Sequence, residues 1–464
     1  MPPPEVVTFQ RGQSVAMKMN ARSVTLACSS FLAAAIGLSL AGCASGSSNP
    51  LAAVQAAQAK NVGNFSNTIF LGDSLTAGYQ SGSLLDTAQV HGWANLVATQ
   101  AAFNISLPLI APPGAPSVLE LVSVGPPPVI VTSPGTTTGR DNPQTQATDL
   151  AVPGAFVNDV VNTVPLANPA AGQQQINQLV LGFPGLGYGE ALSQAGFAIK
   201  AQPTTIFLWI GNNDALIADL TGMPSSMTSI ANFTTQYQSL IMQLTTMAPA
   251  HLVIANIPDV TQVPYLTPAA LVLGEVSAET GLPTAVLSGL LGIVPGDYVN
   301  ETGLGEIPLI LGGTQKGPID DAGVLSAAEV VTVQAQVTAF NQVIAAQAKG
   351  ANATLVDINA LFAKVVASGL TINGYTGTAA FLGGFFALDG IHPTNTGYAV
   401  IANAFIDTMN SSINTKIPDV ALEPVAAADP FWPPNLAALP AARRPMLIPA
   451  NAGKSIDDLM LGKR

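Results

Sequence analysis

The sequence predicts an α/β protein built on a central parallel sheet of about five strands, and three observations predict it. Short apolar runs rich in β-branched residues recur along the chain, each followed by Gly, Pro or Asx. Segments with helical periodicity lie between several of them. Several residues able to carry chemistry, Ser74 and Asn213 among them, come directly after such runs, at what would be the carboxyl edge of the sheet, where α/β sites form. Strand–helix alternation implies a parallel sheet with helices on both faces.

The expected strands are Thr68–Leu71, Asp149–Val152, Thr204–Ile210, His251–Ile257 and Thr354–Ile358. Their near-continuous apolar character is that of strands buried on both sides. Phe233–Met247 has apolar residues at helical spacing. Ser326-Ala327-Ala328-Glu329 reads as a capping box opening a helix that runs to about Lys349. A final helix is expected from Thr394 to about Ile413, capped by Thr394 or Asn395. The motifs straddle most of the chain, so residues 65–416 are expected to form one domain with insertions near 111–146, 158–200 and 262–325. The first insertion is rich in Pro, Gly and Thr and reads as a long loop. The third holds the apolar stretches Ala269–Val276 and Thr284–Val294, and reads either as a wall of the site or as padding. The Pro- and Ala-rich segment 417–464 is expected to be largely disordered.

The composition narrows the function. At 48% hydrophobic the chain can bury a large core, and a formal net charge of −12 leaves nothing to neutralise a run of phosphates, which excludes nucleic acid as the expected partner. Residues 1–42 read as a targeting segment: Lys18 and Arg22 form a basic region, Val24–Leu40 an apolar run, and translation starts at Met1, Met17 or Met19. Leu40-Ala41-Gly42-Cys43 resembles a bacterial lipobox, which implies lipidation of Cys43. Residues 43–64 would then tether the domain to the cell envelope, with Ala44 after the cysteine favouring the outer membrane. The alternative is an ordinary signal and a periplasmic or secreted protein. Cys28 and Cys43 are the two cysteines, so the mature body has no thiol for a disulfide, a nucleophile or a metal. With three histidines in total (His91, His251 and His392), a histidine-built zinc site is not expected.

Three segments carry the chemistry. Gly72-Asp73-Ser74-Leu75 places a hydroxyl just past a strand, and such a hydroxyl needs an adjacent base to become a nucleophile. Asp389-Gly390-Ile391-His392-Pro393 supplies an imidazole with a carboxylate one turn before it, able to fix the tautomer. Gly211-Asn212-Asn213-Asp214 follows another strand and offers a side-chain amide to an oxyanion, although Asn and Asp also favour plain turns. Gly154, in Val152-Pro153-Gly154-Ala155, either lets a backbone N–H approach a ligand or makes an ordinary Pro-Gly turn. His251 opens a strand and reads as structural; His91 lies in a loop or at a helix start. The Gly-x-Ser-x-Gly elbow of α/β-hydrolases is absent from the sequence.

The set resembles the GDSL, or SGNH, hydrolases, whose marker Ser, Gly, Asn and His lie in separate blocks in that order. Gly72–Tyr79, Gly211–Asp214 and Asp389–Thr394 look like the first, third and last blocks, and the region of Gly154 is a looser match to the second. The resemblance implies a three-layer α/β/α sandwich and ester hydrolysis through an acyl-enzyme on Ser74. His392 would be the base, Asp389 its orienting acid, and the N–H groups of Ser74 and Gly154 with the Asn213 amide the oxyanion hole. It implies no metal or organic cofactor. A lipid-like ester is the leading substrate, with the apolar stretches of 269–294 as its wall. Carbohydrate O-acetyl esters are the alternative, and a non-catalytic surface binding protein on the same fold is a third reading.

Overall fold

Four of the five apolar runs form the sheet. The computed structural model describes residues 50–125, 127–169, 172–184, 191–436 and 447–462. Strands β1 (Thr68–Gly72), β2 (Thr205–Trp209), β3 (His251–Ala255) and β4 (Thr354–Val356) lie side by side in that order, all parallel. Seven helices position the site or cover the sheet: α1 (Trp93–Gln100), α2 (Asn212–Thr221), α3 (Ile230–Met247), α4 (Ala327–Gly350), α5 (Ile358–Ser368), α6 (Asn395–Ser412) and α7 (Lys454–Met460).

Alternation along the strands sorts the side chains into two layers. Ile69, Leu71, Ile206, Leu208, Leu252 and Ile254 meet Phe233 and Tyr237 of α3 and Phe340 of α4. On the opposite face Phe70, Phe207, Trp209 and Val253 meet Trp93 of α1 and Phe405 of α6. Phe70 and Phe207, partners in register, stack at 4.7 Å. Helix starts follow the expected chemistry. Ser326 and Glu329 close the capping box of α4, and Thr394 Oγ1 accepts from the Gly397 N–H at the start of α6.

The fifth run departs from expectation. Residues 148–152 run beside β1, bonding through Phe70 N–H to Thr148 O, Leu150 N–H to Phe70 O and Val152 N–H to Gly72 O. Only a single parallel bridge, Phe70 to Asp149, results. The Asp149 carboxylate turns back to its own Ala151 N–H, and Pro153 has no N–H to extend a ladder. The sheet therefore has four strands with an irregular segment at its edge.

The insertions hold more structure than their composition suggests. Within 111–146, Leu119–Ser123 and Val129–Thr132 pair as an antiparallel hairpin. The segment 158–200 contributes helices Gln173–Leu181 and Gln194–Ala201. The third insertion folds into helices Ala269–Thr280, Thr284–Leu291 and Glu301–Leu311 around an apolar cluster of its own.

Two expectations about the ends are corrected. Pro50–Lys60, within the expected tether, is a helix docked beside the end of α3, with Gln58 Nε2 donating to Thr245 O and Asn61 Nδ2 to Pro249 O. The segment 417–464, expected to be disordered, packs on the body wherever it is described. Asn403 and Asn410 of α6 bond the backbone at Val420 and Ile417, and the Asp429 carboxylate accepts from Thr396 N–H and Oγ1–H, both at 2.7 Å. Trp432, Ile456, Leu459 and Met460 join the main core. Large apolar side chains of this segment, Trp432, Leu436, Ile448, Ile456, Leu459 and Met460, are buried, whereas Leu461 is exposed. Cys43, the targeting segment and residues 437–446 lie outside the described residues.

Candidate active site

The chain crosses the carboxyl edge of the sheet at each functional segment. After β1 the Asp73 carboxylate accepts from Leu75 N–H at 3.0 Å, turning the chain so that Ser74 sits at the strand end. Far downstream, Asp389 Oδ1 accepts from Ile391 N–H at 2.9 Å and His392 N–H at 2.8 Å, which folds Asp389–His392 into one tight turn. Thr394 then caps α6 two residues later and fixes the turn against a helix.

Ser74, His392 and Asp389 come together. His392 Nε2 lies 2.8 Å from Ser74 Oγ, and His392 Nδ1 lies 3.0 Å from Asp389 Oδ2. The carboxylate can only accept, so Nδ1 carries the proton and Nε2 turns its lone pair to the hydroxyl. Asp389 Oδ2 also accepts from Gly82 N–H at 2.7 Å. Burial alone would raise the Asp389 carboxyl, yet the imidazole and the surrounding N–H donors outweigh it and hold it below the ordinary carboxylate range. The Tyr79 ring packs 4.7 Å from the imidazole.

Asn213 begins α2 directly after β2. Its amide donates one proton to Ala155 O at 2.8 Å and carries a second, and Asn213 lines the cleft together with Ser74. The same bond ties α2 to the loop of Gly154, which has φ +77° and follows the Val152 contact to Gly72. That loop is thus brought to the end of β1, although Gly154 itself is not among the residues lining the cleft.

Sequence reasoning missed several supporting residues. Asn212 Nδ2 donates to Asp73 Oδ2 at 2.9 Å, linking the ends of β1 and β2. Burial pushes the Asp73 carboxyl up to about 6, against the Asn212 and Leu75 donors. Gly82 N–H gives Asp389 its fourth hydrogen bond, and no local pattern marks it. His251 is buried, bonds Thr354 Oγ1 at 3.0 Å and has its pKa lowered by burial; His91 is exposed. Neither lines the cleft.

The cleft opening from Ser74 is apolar. Its walls are Pro258, Val260 and Val263, then Ile358, Leu361, Phe362 and Val365 on α5, then Phe385, Phe386 and Ile391, and finally Val400 and Ile401 on α6. Leu216 of α2 and Trp209 complete it, and the Trp209 indole N–H is spent on Asn256 O. This corrects the expected wall. Residues 269–294 do not line the cleft; their buried apolar side chains, Val272 and Leu287 among them, fill the separate cluster of the third insertion instead.

The arrangement holds a hydroxyl, a base that can take its proton, an ionised group that steadies the base, and amide donors beside them. That set suits acyl transfer. Among solved structures, the chain is similar to an acetylxylan esterase from Geobacillus stearothermophilus, at 13% identity over 76% of this chain and 98% of that one, with a TM-score of 0.35. It is also similar to an extracellular lipase from Streptomyces rimosus, at 13% identity over 75% of this chain and 99% of that one, with a TM-score of 0.32. Comparison with curated protein sequences gives no match. The family model for GDSL-like lipase/acylhydrolase matches residues 69–405, most of the chain, and the protein belongs to that family of carboxylic ester hydrolases.

Proposed function

We propose that Ser74 is the nucleophile of an esterase acting on esters with an apolar acyl chain. His392 Nε2 takes the Ser74 proton as Oγ attacks the ester carbonyl, and later returns it to the leaving alcohol. Asp389 holds the imidazole in its productive tautomer and stabilises the imidazolium. The Asn213 amide, with the N–H groups of Ser74 and Gly154, receives the oxyanion. Water then attacks the acyl-enzyme, with His392 acting again as base.

The observation that carries the substrate class is the wall of the cleft. Beyond Ser74, His392, Asn212 and Asn213, its side chains are almost all hydrocarbon. A sugar ester would need hydroxyl partners that such a wall lacks, whereas an acyl chain needs only apolar area. Each methylene that leaves water contributes about 0.8 kcal/mol, or about fourfold in kcat/KM. From p-nitrophenyl acetate to the hexanoate the expected rise is therefore about tenfold if half of that burial is realised, and up to about 200-fold if all of it is. Activity that falls steeply beyond acetate, with high turnover of acetylated xylan, would replace this reading with a carbohydrate O-acetyl esterase.

We further propose that the protein is tethered to the bacterial envelope, at the outer membrane, through a lipid on Cys43. The lipobox-like Leu40–Cys43 supports this. Metabolic labelling with palmitate tests it, since label should be lost in Cys43→Ala; label retained in that variant overturns it.

A further inference from the structure

The last described segment, residues 447–462, runs across the backs of three loops that build the site. Gly82 gives its N–H to Asp389, and a Cβ at this position would run into Ser455 Oγ. Gly390 sits inside the Asp389–His392 turn, and a Cβ there would run into Ile448 Cδ1. Gly154 belongs to the loop held by Asn213, and a Cβ there would lie 3.4 Å from Leu459 Cγ. All three glycines have φ between +68° and +77°.

The segment is itself anchored away from the site. Asn451 Nδ2 donates to Ile130 O at 3.0 Å, and Tyr265 Oη donates to Asp457 Oδ1 at 3.0 Å. Tyr265 also donates its backbone N–H to Gly390 O. One element from the end of the chain therefore touches the loop of the orienting carboxylate's donor, the turn of the acid and base, and the loop of the oxyanion glycine. These loops come from three distant parts of the sequence, and a packing shift in any of them moves a reacting group.

We propose that residues 447–462 are a clamp that positions the catalytic loops, with Ser455, Ile448 and Leu459 as positioning residues. The clamp rests on the assignment of Ser74, His392 and Asp389 above. Its loss acts on turnover rather than on binding, because the acyl cleft is lined by other elements. Misplacing reacting groups by a fraction of the contact distance costs rate steeply.

The test compares two buried side chains of α7. Leu459 is 4% exposed and faces the Gly154 loop; Ile456 is 3% exposed and is not among the neighbours of these glycines. In the full chain, Leu459→Ala should lower kcat on p-nitrophenyl butyrate by about three- to tenfold, with KM within about twofold. Leu459→Met should recover most of the loss. Ile456→Ala should lower Tm by a similar amount and leave kcat in place. Unchanged kcat in folded Leu459→Ala, or an equal fall in Ile456→Ala, overturns the clamp. Should Leu459→Ala not fold, Ser455→Ala takes its place, with an expected loss of about two- to threefold in kcat and no loss overturning the proposal. Fluorophosphonate labelling of the unmodified protein separates the two layers of inference. An unlabelled Ser74 removes the nucleophile itself, whereas a labelled Ser74 with unaffected Leu459→Ala removes only the clamp.

Discussion

Glu301→Gln should make the protein more resistant to alkali while changing little in acid. Glu301 opens the helix Glu301–Leu311, is 4% exposed, and no side chain donates a hydrogen bond to its carboxyl oxygens. Burial pushes it up to about 8, and the neighbouring Asp457 adds to this; the Gly453 and Lys454 amides and the Lys454 ammonium oppose it. Tyr265 lies beside Glu301 against Gly453, and its pKa is raised by burial and by Asp457 and Glu301. The unfolded chain loses the Glu301 proton near 4.5 and the folded chain near 8. Between those values the folded state keeps a proton that the unfolded state has lost, so stability falls as pH rises. Below 4.5 the group costs nothing, and above 8 the full cost is present.

The gap between the two values, at about 1.4 kcal/mol per pH unit, sets an upper limit of about 5 kcal/mol, and relaxation around the ionised group brings the expected cost to about 2–5 kcal/mol. A folded body of roughly 400 residues has an unfolding entropy of about 0.8 kcal/mol/K, which converts this cost into about 3–6 °C of Tm. Gln keeps the shape of the protonated carboxyl and cannot ionise. Thermal unfolding of both proteins at about pH 5 and about pH 9 reads the effect as a difference of differences. Tm should rise in the variant at the higher pH and barely move at the lower. An equal change at both values would mean that Glu301 matters through shape alone, and the charge reasoning would fail.

Ser74→Ala should abolish ester hydrolysis and fluorophosphonate labelling with the circular dichroism spectrum unchanged; residual turnover at the starting level would point to another nucleophile. Asn213→Ala should lower kcat by about 10²- to 10³-fold, the scale of losing one oxyanion donor, and a loss confined to KM would make Asn213 a binding residue only. Asp389→Asn should lower kcat by about 10³- to 10⁴-fold, because an amide cannot accept from Gly82 N–H, His392 Nδ1–H and two further N–H groups at once. A small effect there would show that the turn alone orients the imidazole.

The four strands of the sheet were legible because each is buried on both faces and reads as a continuous apolar run. Ser326 with Glu329, and Thr394, were legible because a cap is a local device. Ser74, His392 and Asp389 stood out because a hydroxyl after a strand and a carboxylate one turn before a histidine are the groups acyl transfer needs. Tertiary partnership was much less visible. Leu459 shares helical spacing with Ile456 and Met460, but the contacts of Ile448 and Leu459 are with glycines more than fifty residues away in the chain. The apolar wall was expected in 269–294, yet α5 supplies much of it. Composition identifies apolar segments without saying which of two clusters they join. Asn212 was read with Asn213 as one motif, and only the fold shows that the first braces Asp73 while the second bonds Ala155 O, both beside the cleft.

The buried carboxyls show how the fold chooses where to keep an anion. Asp389 receives four donors, counting Gly82, Ile391 and His392 N–H and the imidazole, and stays below the ordinary range. Asp73, equally buried, receives two donors and rises to about 6. Asp149 receives one and rises to about 8. Asp219 receives none and is raised well above its usual value. All four are almost fully excluded from water, so desolvation is nearly common to them, and the pull of His392 on Asp389 together with the donors makes the difference. Of these four, Asp389 receives the most donors and the imidazole, whereas Asp149 and Asp219 are left to keep their protons. An ionised Asp149 or Asp219 would set an uncompensated charge in the core, and an uncharged Asp389 would leave the imidazolium without a partner when Ser74 gives up its proton. His392, with the N–H donors of the Asp389 turn, is thus what separates the charged group of this site from the structural acids around it.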